Sequence, residues 1–348
     1  MSERIRSALR TAGPAAFAVP AVLAILVAVR WLFFEMGNAP PAFVDSVSTF
    51  TTIFLGIFIE AAPFLLLGTL ASGLVEVFVG QGGISRLAPR NPIAGALFGS
   101  GLGLVFPVCE CGVVPLTRRL LRKGIPAHVG ISFLLASPVI NPIAIASTMA
   151  AFGFGKILFF RVGLSLLIAM LTGLVFAFQK NPATLLRMVR NPAPAPHGVG
   201  AAYIAAPQPQ PLQVRVRRAL AIAGDEFFEM GRYLVIGALL ASLMQTFVPR
   251  TFLLSFNQGP LIPVLAMIAL AVVLSICSTV DSFVALAFVS SFSNGSILAF
   301  LVFGAMVDIK STLLFLRVFE RRTVVYIILL PLLMTILAAV LINIYAPL

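Results

Sequence analysis

The 348-residue sequence predicts an all-α polytopic membrane protein with about seven full transmembrane helices plus two re-entrant broken segments, arranged as two inverted-topology repeats. Three observations predict it. The composition is 60% hydrophobic and only 10% charged, where a soluble domain carries about 25% charge; a mean hydropathy of +1.06 leaves lipid as the solvent for most of the surface. Apolar stretches near the roughly 20 residues needed to span a bilayer recur at about 15–35, 50–78, 126–152, 156–178, 227–248, 296–316 and 324–346. Two more, 92–123 and 260–292, are interrupted partway by Pro, Gly, Cys and polar residues.

The run from Ala15 to Phe34 follows a basic leader (Arg4, Arg6, Arg10) and resembles a signal peptide at first sight. It is long enough to span, and Glu35, Gly37, Pro40 and Pro41 follow it in place of a small-residue cleavage site. The expectation is an uncleaved first helix. With Arg4, Arg6 and Arg10 in the cytoplasm, two crossings return Arg86 and Arg90 there. Were 92–123 to cross, Arg118, Arg119, Arg122 and Lys123 would lie outside, against the positive-inside rule. If it dips in and returns, that cluster is cytoplasmic, as is the linker with Lys180, Arg187, Arg190, Arg215, Arg217 and Arg218. The same reading of 260–292 brings in Arg317, Arg321 and Arg322, leaving Arg30, Lys156, Arg161 and Arg250 outside. Non-helical backbone at membrane depth requires cover from protein or water. The expected topology is multi-pass, with the N-terminus and central linker cytoplasmic.

The net charge of +12 raises the question of nucleic acid. The basic residues, however, sit at the ends of apolar stretches without interleaved aromatics, so no nucleic-acid partner is expected. Three cysteines make no even disulfide framework.

A repeat organises the chain. Phe58-Ile59-Glu60 through Gly68 and Phe78 recurs as Phe227-Phe228-Glu229 through Gly237 and Phe247, 169 residues on, and Cys109 meets Cys277 at nearly the same offset. Four regions follow: 1–49, an N-terminal helix and outer loop; 50–179, the first repeat; 180–225, a Pro-rich linker; and 226–348, the second repeat. The first repeat enters from outside and the second from the cytoplasm, an inverted relation common among secondary transporters, whose sites lie where the repeats meet.

The breaks carry the chemistry. Cys109-Glu110-Cys111 places two thiols around a carboxylate at a broken segment, and Cys277 occupies the matching break. Soft thiolates suit thiophilic metals and metalloids, so Cys109, Cys111 and Cys277 are candidate metalloid ligands; the bland reading is that they pack as small hydrophobes. Ser278 and Asp281 follow Cys277 as further substrate-site candidates. In Ser137-Pro138-Val139-Ile140-Asn141-Pro142 two prolines open a helix around Asn141. Ser137 and Asn141 either line a polar path or mark a plain kink. Asp308 and Lys310 are ionisable within an apolar span. Two residues apart, they do not face each other along a helix, and Lys310 pairs elsewhere, for example with Asp281 or Glu110. They either hold the repeats together or, with Asp281, couple transport to protons or ions. Glu60 and Glu229 could each pair with basic residues at the bundle ends; Arg232 three residues after Glu229 favours a same-helix ion pair there, whereas Glu60 has no local base and joins the coupling candidates. His128 and His197 are given no role. No Gly-x-x-x-x-Gly-Lys-Ser/Thr loop occurs, so no ATPase and no cofactor are expected.

The ordered set Phe106-Pro107-Val108-Cys109-Glu110-Cys111-Gly112-Val113-Val114-Pro115-Leu116, Gly124-Ile125-Pro126, Leu135-Ala136-Ser137-Pro138-Val139-Ile140-Asn141-Pro142, Cys277-Ser278-Thr279-Val280-Asp281-Ser282-Phe283 and Met306-Val307-Asp308-Ile309-Lys310 resembles the YraQ/ArsP predicted-permease family over roughly 50–346. The resemblance implies a bacterial inner-membrane permease, and its ArsP branch implies efflux of trivalent organoarsenicals. The expected function is a non-enzymatic secondary transporter exporting a small thiophilic solute such as trivalent arsenic. The alternatives are a permease for another sulfur-containing or anionic solute, a thiol-redox membrane protein, or an anchoring subunit. Cys-x-Cys is a poor match to the Cys-x-x-Cys redox motif, and anchoring leaves the intramembrane charges without a role. Expected partners are the lipid bilayer and a small-molecule or metalloid substrate; a homo-oligomer is left open.

Overall fold

The computed structural model describes residues 41–78, 89, 91–106, 108–178, 185–187, 211–247, 259, 261–289 and 291–345. The expected helix at 15–35 and most of the 180–210 linker lie outside them. The chain divides into two units, Met1–Thr52 and Ile53–Leu348. Of the first, only the opening of α1 is described, where Ser48 and Thr51 donate their hydroxyls to the carbonyls of Asp45 and Val47. Such bonds let polar residues stay helical, and α1 runs unbroken from Pro41 to Phe78, across the boundary expected at 49.

The remaining helices are α2 (Pro92–Val105), α3 (Glu110–Arg122), α4 (Ala127–Ile140), α5 (Pro142–Phe152) and α6 (Lys156–Val175). They are followed by α7 (Leu212–Phe247), α8 (Ile262–Leu274), α9 (Asp281–Leu286), α10 (Asn294–Met306), α11 (Ile309–Val318) and α12 (Arg321–Tyr345). No strand occurs among the described residues. Among the described residues six stretches are long and apolar enough to cross a membrane: Val44–Phe78, Ala127–Phe152, Lys156–Phe178, Leu212–Thr246, Asn294–Val318 and Arg321–Tyr345. The protein is a multi-pass membrane protein. The helix α7 begins at Leu212, inside the stretch read as linker. Its reason is a buried stripe at helical spacing (Ala219, Ala223, Glu226, Met230, Leu234, Ala238, Ala241), which the half-buried Arg215 and Arg218 extend toward the helix start.

Two stretches, α4–α5 and α10–α11, are 78% buried over their most apolar windows, against 28–39% for the other four. The broken helices are therefore the interior, and the unbroken ones face lipid. Each break has a local cause. Pro142 cannot extend α4, and the Asn141 side chain caps α5 by accepting from Ile143 N–H at 3.0 Å. Asp308 is extended and caps α11 in a reciprocal box with Ser311.

Within the first half, α2, α4 and α6 pack on one another, as do α8, α10 and α12 in the second. Gly95, Gly99 and Gly103 of α2 press in turn on His128, Val129 and Ser137 of α4. Both contact series rise together, so α2 and α4 run parallel, and α3 must carry the chain back to the end where α2 started. In the second half, Ser275 just after α8 accepts from the Ile309 amide just after α10, which puts the ends of those two helices at one level. Between the halves, α3 packs on α11, α5 on α9, and α4 on α10.

Candidate functional site

Three backbone breaks converge at the centre: the turn before α3, the loop between α8 and α9, and the gap between α10 and α11. Cys109 is the extended N-cap of α3. Ser275 turns the chain out of α8 at φ +47°, a left-handed conformation rare for a residue with a Cβ, and Cys277 follows it. Cys109, Cys111 and Cys277 lie in one buried cluster, and Cys109 is close enough to the other two to interact electrostatically. Among the described residues no group of three or more His, Cys, Asp or Glu side chains has the geometry of a metal-ion site. The thiols are neighbours without being a closed cage.

Beside them stands a buried charge cluster. Lys310 Nζ lies 3.6 Å from Glu110 Oε1 and 3.4 Å from Asp308 Oδ2, with all three side chains at most 4% exposed. Asp308 faces Lys310 although two residues separate them, because Asp308 is the extended cap and not a helical residue. The second oxygen of Glu110 makes no hydrogen bond, nor does Asp308 Oδ2. One ammonium thus serves two carboxylates loosely, leaving acceptor capacity in a place where an unmade hydrogen bond is costly. Glu110 and Cys277 are close enough to interact electrostatically, as are Lys310 and Cys111, so thiols and charges form one site. Glu60 is at its edge, accepting from Thr279 Oγ1 at 3.4 Å. A glycine from each of the two long helices bears on it: Gly68 of α1 abuts Gly112, and Gly237 of α7 abuts Lys310.

Lys310 does not pair with Asp281. Asp281 heads α9 and takes Arg161 Nη2 of α6 at 2.7 Å, the guanidinium 1% exposed. Arg161 also donates to Thr148 of α5, to Ser282 and to the Ser278 carbonyl. Ser278 and Asp281 therefore belong to a second cluster. Ser137 packs against Gly103 with its hydroxyl unbonded, and the Asn141 oxygen is occupied as a cap.

Sequence reasoning missed Arg161, placing it among outer-end residues; its signal was a lone arginine five residues inside an apolar helix. Of the two readings of Glu229, pairing with basic residues at the bundle ends holds and the same-helix ion pair does not. Arg232 donates to the Glu229 backbone carbonyl, while the Glu229 carboxylate takes Arg317 at 2.7 Å and Arg118 at 3.4 Å. Helix spacing permits the local pair, but two guanidiniums from other helices outcompete it. Nearby, Arg119 reaches Glu76 and Glu226, Lys123 reaches Glu76, and Ser72 donates to Glu226 at 2.6 Å. This charged belt gathers the ends of α1, α3 and α11 with the first half of α7.

A protein-family model described as a predicted permease, of the ArsP type, matches residues 46–344. The chain belongs to this predicted-permease family. It is 42% identical over 278 residues to UPF0718 protein YcgR of Bacillus subtilis, covering 80% of this chain and 91% of that one. It is 35% identical over 279 residues to a Streptococcus mutans protein whose name describes a two-component membrane permease complex subunit, covering 80% and 89%. No solved structure matches.

Proposed function

We propose that this permease is a secondary transporter of the bacterial inner membrane that exports a small thiophilic solute, with trivalent arsenic or an organoarsenical as the leading class. The observation that carries the reading is the meeting of Cys109, Cys111 and Cys277, from breaks 168 residues apart in sequence, beside an incompletely satisfied charge cluster. A soft solute exchanges onto thiols one at a time, which suits neighbours that are not a closed cage. Glu110, Asp308 and Lys310 would hold the coupling proton or ion, with Glu60 as a secondary member, while Asp281 is held by Arg161 in the saturated cluster.

Two inverted repeats, α1–α6 and α7–α12, form the frame of this proposal. Each offers a long helix, a hairpin with a break, a broken span and a closing span in the same order. The exchange of α3 onto α11 and α5 onto α9 supports it, because a two-fold relation turns one contact into the other. In this reading α2–α3 and α8–α9 are re-entrant. The belt of Arg118, Arg119, Lys123 and Arg317 is cytoplasmic. The name of the Streptococcus mutans relative makes a second membrane subunit a further candidate partner.

The test is expression in a strain lacking arsenical efflux, comparing growth in methylarsenite, arsenite and antimonite. Resistance to at least one, lost in Cys109→Ser and Cys277→Ser, is expected. No protection against any of them defeats the substrate class, and protection surviving replacement of all three cysteines removes the thiol site.

A further inference from the structure

Away from the central site, a cavity of about 1020 Å³ opens where the span Lys156–Phe178 ends and the span Arg321–Tyr345 begins. Arg187, Arg321 and Arg322 line it, against one carboxylate, Glu320. Among the described residues none of the three arginines has an ion-pair partner. Arg187 is held in place, its amide donating to Val318 O at 2.9 Å and its Nη1 to Leu316 O at 3.2 Å. The stretch 179–224 between α6 and the middle of α7 contains no Asp or Glu, so the adjoining sequence brings no counter-charge. Of the rest of the wall, Phe176, Leu185 and Thr323 are buried, while Val175, Phe178 and Tyr326 present exposed apolar surface.

We infer that this cavity is a binding site for an anionic phospholipid, with the phosphate on the arginines and an acyl chain along Val175 and Phe178. Guanidinium forks match phosphate oxygens in bidentate geometry. The position, where two spans leave the apolar layer, is the depth of a headgroup. Inorganic phosphate shares the headgroup chemistry but would leave the apolar wall uncovered, which favours the lipid. The inference is independent of the transported solute.

The test is native mass spectrometry of the purified full chain titrated with phosphatidylglycerol, phosphatidylcholine or inorganic phosphate. Phosphatidylglycerol is expected to be retained at least about tenfold more tightly than phosphatidylcholine, and the Arg321→Gln/Arg322→Gln variant to lose roughly 30-fold of that affinity. Lys156→Gln, at the far end of α6, should bind as the parent does. Melting curves report whether each variant is folded, and Arg187→Gln replaces the double variant if that one is not. Equal retention of the two lipids, or retention unchanged in the folded arginine variants, overturns the site. Displacement of the lipid by inorganic phosphate at equal concentration overturns its assignment to lipid.

Discussion

The two buried charge clusters differ in how completely they are satisfied. In the Arg161 cluster the guanidinium meets Asp281 at 2.7 Å and is further bonded to Thr148, Ser282 and the Ser278 carbonyl. In the Lys310 cluster one ammonium lies 3.4 and 3.6 Å from two carboxylates, and each carboxylate keeps an oxygen without a hydrogen bond. Both join the two halves of the chain at helix starts beside backbone breaks. A saturated network fixes geometry and costs little to keep closed, while an unsaturated one can accept a proton, an ion or a solute. Fold and function are thus assigned to different clusters, and that division can be broken experimentally.

The largest expected effect on stability is at Arg161. Arg161→Met leaves Asp281 buried and unpaired, and should cost about 3–5 kcal/mol, read as a lowered melting temperature and reduced yield. Adding Asp281→Leu should recover part of the loss; no recovery would mean that the guanidinium's other bonds, and not the pair, hold the site. Next is Gly68→Ala, whose added Cβ lands on the Gly112 backbone and should cost about 1–3 kcal/mol by overpacking, with transport falling as α3 shifts. Asp308→Asn and Glu110→Gln should change melting by less than Arg161→Met while reducing transport more. The reverse ordering would exchange the roles of the two clusters. The smallest effect is at Glu229, a quarter exposed. Glu229→Gln should cost about 1 kcal/mol or less, and the loss should shrink in high salt.

The helical spans, their breaks and the thiol-bearing segments were legible in the sequence, because apolar length, Pro and Gly are local signals. Cys109 and Cys277 could be associated because the repeat placed them at one offset. The pairing of charges was only partly legible. Lys310 with Glu110 was one of two options, and Asp281 instead found Arg161, 120 residues away on α6. Nothing local encodes such a partner, and an arginine near the end of an apolar helix reads equally as a membrane-edge anchor. Glu76 and Glu226 escaped notice for the same reason, since their partners lie on other helices. Asp308 facing Lys310 was masked by assuming a continuous helix through a residue that is in fact its cap.

On the proposed function, the three thiols beside Lys310 are where the solute binds. Uptake of methylarsenite into everted membrane vesicles measures it directly, comparing the parent chain with the Cys109→Ser/Cys111→Ser/Cys277→Ser variant at matched protein level and melting temperature. Uptake by the parent is expected, with a loss of at least about tenfold in the variant, on the order of 1.4 kcal/mol of binding. Equal uptake by the two would contradict it.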